Sequence, residues 1–145
     1  MRKRFDNQNV VQHLRAAGLR PTRQRAALAG LLFGQGDRHV SAEQLHAEAE
    51  AAGVRVSLAT IYNTLHHFTR AGLLREVVVD VGRFYFDTNT DHHHHFYVED
   101  EHRLIDIDDS KVSVGNLPEP PLGSSIERVD VVVRLKQHAR GAHRV

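Results

Sequence analysis

The 145-residue sequence contains no cysteine, which excludes disulfide staples, zinc–thiolate sites, thiol catalysis and cysteine-linked haem. No apolar run approaches the roughly 18 residues that a membrane-spanning helix requires, so no membrane partner is expected. The basic start Met1-Arg2-Lys3-Arg4-Phe5 is not followed by the apolar core of a signal peptide, and a cytoplasmic location is the expectation. An excess of one charge is lacking too: 19 Lys and Arg against 18 Asp and Glu leave +1, so overall charge announces no anionic partner. Hydrophobic residues at 41% and charged residues at 26% are ordinary for a globular chain and speak against wholesale disorder. This length accommodates one ordinary domain or two small ones.

Charge is nevertheless uneven along the chain. Residues 1–25 carry seven Lys or Arg (Arg2, Lys3, Arg4, Arg15, Arg20, Arg23, Arg25) against the single acid Asp6, whereas residues 99–109 carry six acids against Arg103. One half thus suits an anionic partner and the other suits cations or a partner chain.

Val10, Val11, Leu14 and Ala17 share one helical face, and Gly18 offers a stop. Thr22 can cap a second helix bearing Leu28, Leu31 and Leu32. Ser41-Ala42-Glu43-Gln44 reads as a capping box opening a third, with Leu45, Ala49 and Ala52 inward and Gly53 beyond its end. Ser57 caps a fourth whose apolar stripe is Leu58, Ile61, Leu65 and Phe68, terminated by Gly72. Residues 74–81 and 83–86 then read as a hairpin about Asp80-Val81-Gly82. Helices followed by a hairpin give the order of a winged helix-turn-helix, which lays one helix in the DNA major groove. The competing architecture is a helical bundle with an unrelated hairpin.

Beyond Thr88, residues 95–98, 104–107 and 128–135 are candidate strands, and residues 116–123 form a proline-rich connection unsuited to a helix or central strand. Three short strands make a poor core alone, so the sheet is expected to complete itself against a second chain. The expected fold is α+β, with a winged-helix domain over residues 1–88 and a smaller domain over residues 89–145.

Opposite its apolar stripe, the fourth helix presents Ser57, Thr60, Tyr62, Asn63, His67 and Arg70. Asn can bond adenine in bidentate fashion, hydroxyls can reach phosphates or base edges, and a Tyr ring can pack on thymine methyls. Any surface helix also has a polar face. Arg20, Arg23 and Arg25 crowd Thr22 at the start of the second helix, where positive charge opposes the macrodipole and phosphate would relieve the cost. The plainer alternative is a solvated arginine cluster.

The run His92-His93-His94-His95 is the strongest chemical signal, because imidazole is a common transition-metal ligand. On a strand, His93 and His95 share one face and His92 and His94 the other. Asp87, Asp91, Asp100 and Asp106 lie nearby in sequence, and His39 precedes the third helix. These donors suit a mixed nitrogen and oxygen site for Zn2+, Fe2+ or Mn2+, and the histidines equally suit axial ligation of haem. The isolated His13, His46, His138 and His143 read as surface residues, and Tyr85 and Tyr97 as strand packing. A small zinc hydrolase would draw on the same donors, but no compact HExxH-like motif or obvious general base accompanies them. A histidine-rich metal buffer is a further alternative, distinguished by having no sequence-specific DNA binding.

Four stretches, Gly18-Leu19-Arg20-Pro21-Thr22-Arg23-Gln24-Arg25, His39-Val40-Ser41-Ala42-Glu43, Ser57-Leu58-Ala59-Thr60-Ile61-Tyr62 and Phe86-Asp87 before the histidines, resemble the Fur family of metal-responsive repressors in order and spacing. Within it, Ala59-Thr60-Ile61-Tyr62-Asn63-Thr64-Leu65, Phe86-Asp87-Thr88-Asn89-Thr90, the histidine run before Phe96-Tyr97 and residues 115–121 most resemble the iron-response-regulator branch of alphaproteobacteria. The resemblance implies a homodimer of winged helices with small α/β dimerisation domains, acting on double-stranded operator DNA. It implies DNA contacts from Arg20, Thr22, Arg23, Arg25, Ser57, Thr60, Tyr62 and Asn63. His39, Asp87, His93, His95 and Asp106 would match the sensory site for a divalent metal, given a one-residue gap between Asp87 and His93. A second site would retain His92 and His94, without counterparts for its later ligands. Val98 and Glu101 stand near the first of the cysteine pairs that hold a structural zinc in many members, so that zinc is expected to be absent. Asn63 stands where many members have Arg, which implies a different operator. The branch implies an iron and haem regulator released from DNA when haem engages His93, His94 and His95. The alternative is a conventional repressor with Fe2+, Mn2+ or Zn2+ as corepressor.

Overall fold

A computed structural model describes residues 9–138. The basic arm expected at Arg2, Lys3 and Arg4, together with His143, lies outside the described residues. The chain forms two compact units, the first ending at Asp91 and the second opening at His92.

In the first unit, α1 (Val10–Ala16), α2 (Arg23–Phe33), α3 (Ala42–Ala51) and α4 (Leu58–Arg70) accompany β1 (His39–Val40), β2 (Arg75–Asp80) and β3 (Arg83–Asp87). Three helix starts follow from their caps: the hydroxyls of Thr22, Ser41 and Ser57 accept from the backbone N–H groups of Arg25, Gln44 and Thr60, each at 3.1 Å. Each such cap is worth about 1 kcal/mol. Helix α4 ends at Gly72, whose φ of +80° lets Leu73 N–H reach back to Phe68 O at 2.9 Å and its own N–H reach Thr69 O at 3.1 Å. That closure turns the chain directly into β2.

Leu14, Leu28, Leu32, Val40, Leu45, Ile61, Leu65, Phe68 and Phe86 are fully buried together, drawn from all four helices and the sheet. Burying each such side chain stabilises by roughly 1.5–3 kcal/mol, so the helices are held by packing more than by propensity. Leu58, expected on the apolar stripe, stays 37% exposed in the first turn of α4, and Thr64 is buried beside Ile61 and Leu65. The sheet order is β1-β3-β2, antiparallel throughout. The hairpin is the expected wing; β1 was not anticipated, because two residues carry no periodicity. Its pairing places His39 opposite Asp87, and β2 places Arg75 opposite the same Asp87.

In the second unit, β4 (His94–Val98) lies between β5 (Arg103–Ile107), antiparallel to it, and β6 (Val132–Leu135), parallel to it. Short 3-10 turns occupy Glu99–Glu101 and Asp109–Lys111. Among the described residues this unit has no α-helix, and residues 112–131 run without regular structure. The strand expected from Arg128 begins only at Val132. Arg128 instead pairs with Asp130 at 2.8 Å, and Val131 gives its N–H to the His94 ring rather than to a ladder. Tyr97, Val98 and Leu104 are buried with His93, His94 and His95, so half of this small interior is imidazole. On the sheet, Ile105, Phe96 and Val133 are cross-strand neighbours, and Ile105 and Val133 remain exposed.

Candidate metal groups and nucleic-acid interface

The outer face of α4 is only partly free. Ser57 and Thr60 hydroxyls bond each other at 2.9 Å. Tyr62 donates its hydroxyl to Glu43 Oε1 at 2.6 Å, and its ring meets Phe84 edge-on with centroids 6.2 Å apart. That hydrogen bond, then desolvation, then the Glu43 charge, hold the Tyr62 phenol above its ordinary pKa. Asn63 and Arg70 are exposed, and His67 is half-buried.

The arginines expected to act together divide. Arg20 and Arg23 are exposed, while Thr22 spends its side chain on the α2 cap. Arg25 turns inward: Nη1 donates to Arg20 O at 2.8 Å, and Nη2 lies 3.1 Å from His67 Nδ1. Its guanidinium therefore ties α2 and the preceding turn to α4. Each terminal nitrogen has a second N–H, so these contacts leave Arg25 donors for a phosphate as well.

Within the first unit, His39 Nε2 lies 3.1 Å from Asp87 Oδ2. Asp87 is fully buried, and its other oxygen accepts from Asn89 N–H at 2.8 Å. A buried carboxylate persists only with such partners, and buried Arg75 stands opposite it in the sheet.

Within the second unit the four imidazoles, His94 and His95 at the start of β4 and His92 and His93 just before it, fall into two alternating pairs. His93 and His95 Nε2 lie 3.2 and 3.4 Å from the same Oδ1 of Asp106. On the other side, His92 Nδ1 and His94 Nε2 lie 2.8 and 3.3 Å from Oδ1 of Asp109. All donor atoms in each trio lie within 4.8 Å of one another. Imidazole nitrogens with a carboxylate and no thiolate suit Zn2+, Fe2+ or Mn2+. Asp91 and Asp100 belong to neither trio.

Asp109 was not anticipated as a partner for His92 and His94. The signal was present: the β4/β5 register pairs His95 with Asp106 and His94 with Ile107, and its continuation brings residue 109 opposite residue 92. Finding it required locating the turn at Glu99–His102, which the acidic sequence there does not announce. His46 is likewise less free than expected, with Nε2 3.1 Å from Val56 O. Tyr85 and Tyr97 are packed as expected, and His138 is exposed.

His93, His94 and His95, the residues expected to ligate haem, are 5%, 3% and 2% exposed.

The ferric uptake regulator family matches residues 16–117. A ferric uptake regulation protein of Pseudomonas aeruginosa is 34% identical over 100 residues, covering 68% of this chain and 75% of the relative. The ferric uptake regulator of Vibrio cholerae superposes with a TM-score of 0.68 at 24% identity, over 87% of this chain and 98% of that one. The P. aeruginosa regulator solved with manganese superposes with a TM-score of 0.65 at 27% identity, over 87% of this chain and 96% of its own. The arrangement of four helices and a wing before a small sheet is thus one already seen in these regulators. With residues 16–117 matched and that fold shared, the chain belongs to the ferric uptake regulator family, whose members are metal-dependent, DNA-binding transcriptional regulators.

Proposed function

We propose that this chain is a homodimeric regulator of iron homeostasis, acting in the cytoplasm, whose affinity for double-stranded operator DNA rises when a divalent cation is bound. His39 and Asp87 of the first unit, with His93, His95 and Asp106 of the second, would supply its ligands. The observation that supports this most is that each set is already assembled within its own unit, with donor pairs 3.1–3.4 Å apart. A divalent ion there supplies positive charge between two carboxylates. Only an arrangement of the units in which both sets reach the ion gains its full binding energy, and DNA affinity follows if that arrangement is the DNA-competent one. A coupling of ~1–3 kcal/mol would change operator affinity about 5- to 150-fold. The manganese bound by the P. aeruginosa regulator favours a first-row divalent ion over haem. His92, His94 and Asp109 form a second cation group on the same donor chemistry.

Asn63 and Tyr62 would read base edges and methyl groups, Ser57 and Thr60 would support them, and Arg20 and Arg23 would meet phosphates. The apolar row of exposed Ile105, half-buried Phe96 and exposed Val133 supports a second copy as partner for the sheet.

A second reading follows the iron-response-regulator resemblance carried by residues 86–90 and 115–121 and by the histidine run. There haem engages His93, His94 and His95, whose side chains are buried, and releases DNA. A gel shift of metal-stripped protein on iron-gene promoter DNA, titrated separately with Mn2+, Fe2+, Zn2+ and haemin at fixed salt, separates the two. A specific complex that forms only with a divalent ion is the expected result. Binding without metal that haemin abolishes would replace it with the haem-released regulator.

A further inference from the structure

The backbone N–H of Val131 donates to His94 Nδ1 at 3.1 Å. A neutral imidazole accepts only at the nitrogen that carries no proton, so the His94 proton resides on Nε2. From there it points to Asp109 Oδ1, 3.3 Å away. His94 is 3% exposed, so both ends of the ring are committed within the protein.

Val131 is the last residue before β6. Its carbonyl accepts from His95 N–H at 3.1 Å, and the next residue, Val132, stands opposite His95 in the parallel ladder. Two residues earlier, Val129 O lies 3.3 Å from His92 Nε2. The start of β6, separated from β4 by the irregular segment 112–131, is therefore held by the histidine run itself.

The two histidines that face Asp109 respond to a cation in opposite ways. His92 presents Nδ1 to Asp109, so ligation there leaves a proton on Nε2, where it donates to Val129 O. His94 presents Nε2. Ligation at that nitrogen uses its lone pair, and the ring stays neutral only with its proton on Nδ1. That N–H then faces the N–H of Val131, and the hydrogen bond is lost. The proton leaving Nε2 reappears on Nδ1 through solvent exchange, so the proton count of the ring is unchanged.

We propose that His94 is a tautomeric latch: through Nδ1 it holds Val131 and the start of β6, and ligation of a divalent cation through Nε2 releases them. The cation-dependent half of this rests on the reading of His92, His94 and Asp109 as a cation group, whereas the latch itself does not. Release would act on Val133, which lies exposed in the apolar row of the sheet, and would thereby carry cation occupancy to that surface.

The test uses the full-length protein labelled with 15N, with and without saturating Zn2+ as a diamagnetic ion. Long-range 1H–15N correlation reads the His94 tautomer, and amide exchange reads Val131. The metal-free protein is expected to show the Nε2–H tautomer and a protected Val131 amide; Zn2+ should convert His94 to the Nδ1–H tautomer and speed Val131 exchange at least about tenfold. His94→Asn places a carboxamide oxygen near the Nδ1 position, so it should keep Val131 protected and make it insensitive to Zn2+. Val131→Pro removes the donor without touching the ring, and should loosen β6 without metal to the level Zn2+ produces in the parent. An Nδ1–H tautomer in the metal-free protein overturns the latch. Zn2+ that shifts His94 to Nδ1–H while Val131 exchange stays unchanged overturns the release. Zn2+ that reaches His93 and His95 but leaves His94 unshifted overturns both the release and the second cation group, and leaves the first group standing.

Discussion

Tyr62 on α4 and Glu43 in the first turn of α3 are joined by a 2.6 Å hydrogen bond, the phenol donating and the carboxylate accepting. The two helices of the helix-turn-helix are thus tied at the face that would meet DNA, and the Tyr62 ring is held against Phe84. Because the bond raises the phenol pKa, its stabilisation is present below the unfolded value near 10 and disappears as pH rises through the higher folded value. Glu43→Gln is expected to lower the ionisation pH of one tyrosine in an ultraviolet titration. The stability cost should be only about 0.5 kcal/mol, since the pair is solvent-screened. A titration curve identical to the parent's would mean the bond does not form in solution.

Arg25 and Arg23 sit two residues apart in α2 and should behave differently. Arg25→Met breaks the tie between Arg20 O and His67, and is expected to cost roughly 1–2 kcal/mol of unfolding free energy. Arg23→Ala should leave the melting temperature unchanged and reduce the salt slope of operator binding by about 1. Equal melting temperatures for both variants would mean that the Arg25 contacts add no stability.

Asn63 is exposed on α4, so its replacement tests recognition without disturbing the core. Asn63→Ala is expected to cost ~1–3 kcal/mol on specific operator DNA and little on random DNA. Competition binding with both DNAs measures the difference, and an equal loss on each would move base reading elsewhere.

Divalent ions should raise thermal stability through the histidine and aspartate groups. At about 100 times Kd, a ligand that binds only the folded state adds ~2.7 kcal/mol. His93→Ala with His95→Ala should remove most of the Mn2+- or Zn2+-dependent rise in melting temperature, as read by calorimetry. An undiminished rise would place the ion in the trio of His92, His94 and Asp109.

Much of the first unit was legible in the sequence because its signals are local. Thr22, Ser41 and Ser57 cap the helices they precede, Gly72 ends α4, and Asp80-Val81-Gly82 turns the wing. The pairing of His93 with His95 followed from alternation along the run alone. Other features depend on long-range geometry that no local pattern carries. The strand β1 is two residues long and exists because Val40 packs in the core beside Phe86. Arg25 looks like its neighbours in sequence and differs only because His67, 42 residues on, comes within reach. Asp109 joins His92 through a register fixed by the turn after β4.

The parallel pairing of β4 with β6 also fixes an order of events during synthesis. The first unit has all its core residues by Phe86 and can fold while the rest of the chain is being made. The second cannot close its sheet until Val132–Leu135 have left the ribosome, some thirty residues after β4 itself. For that interval the histidine run lacks the backbone partners at Val129 and Val131 that later hold it, and its imidazoles are open to whatever cation the nascent chain meets first.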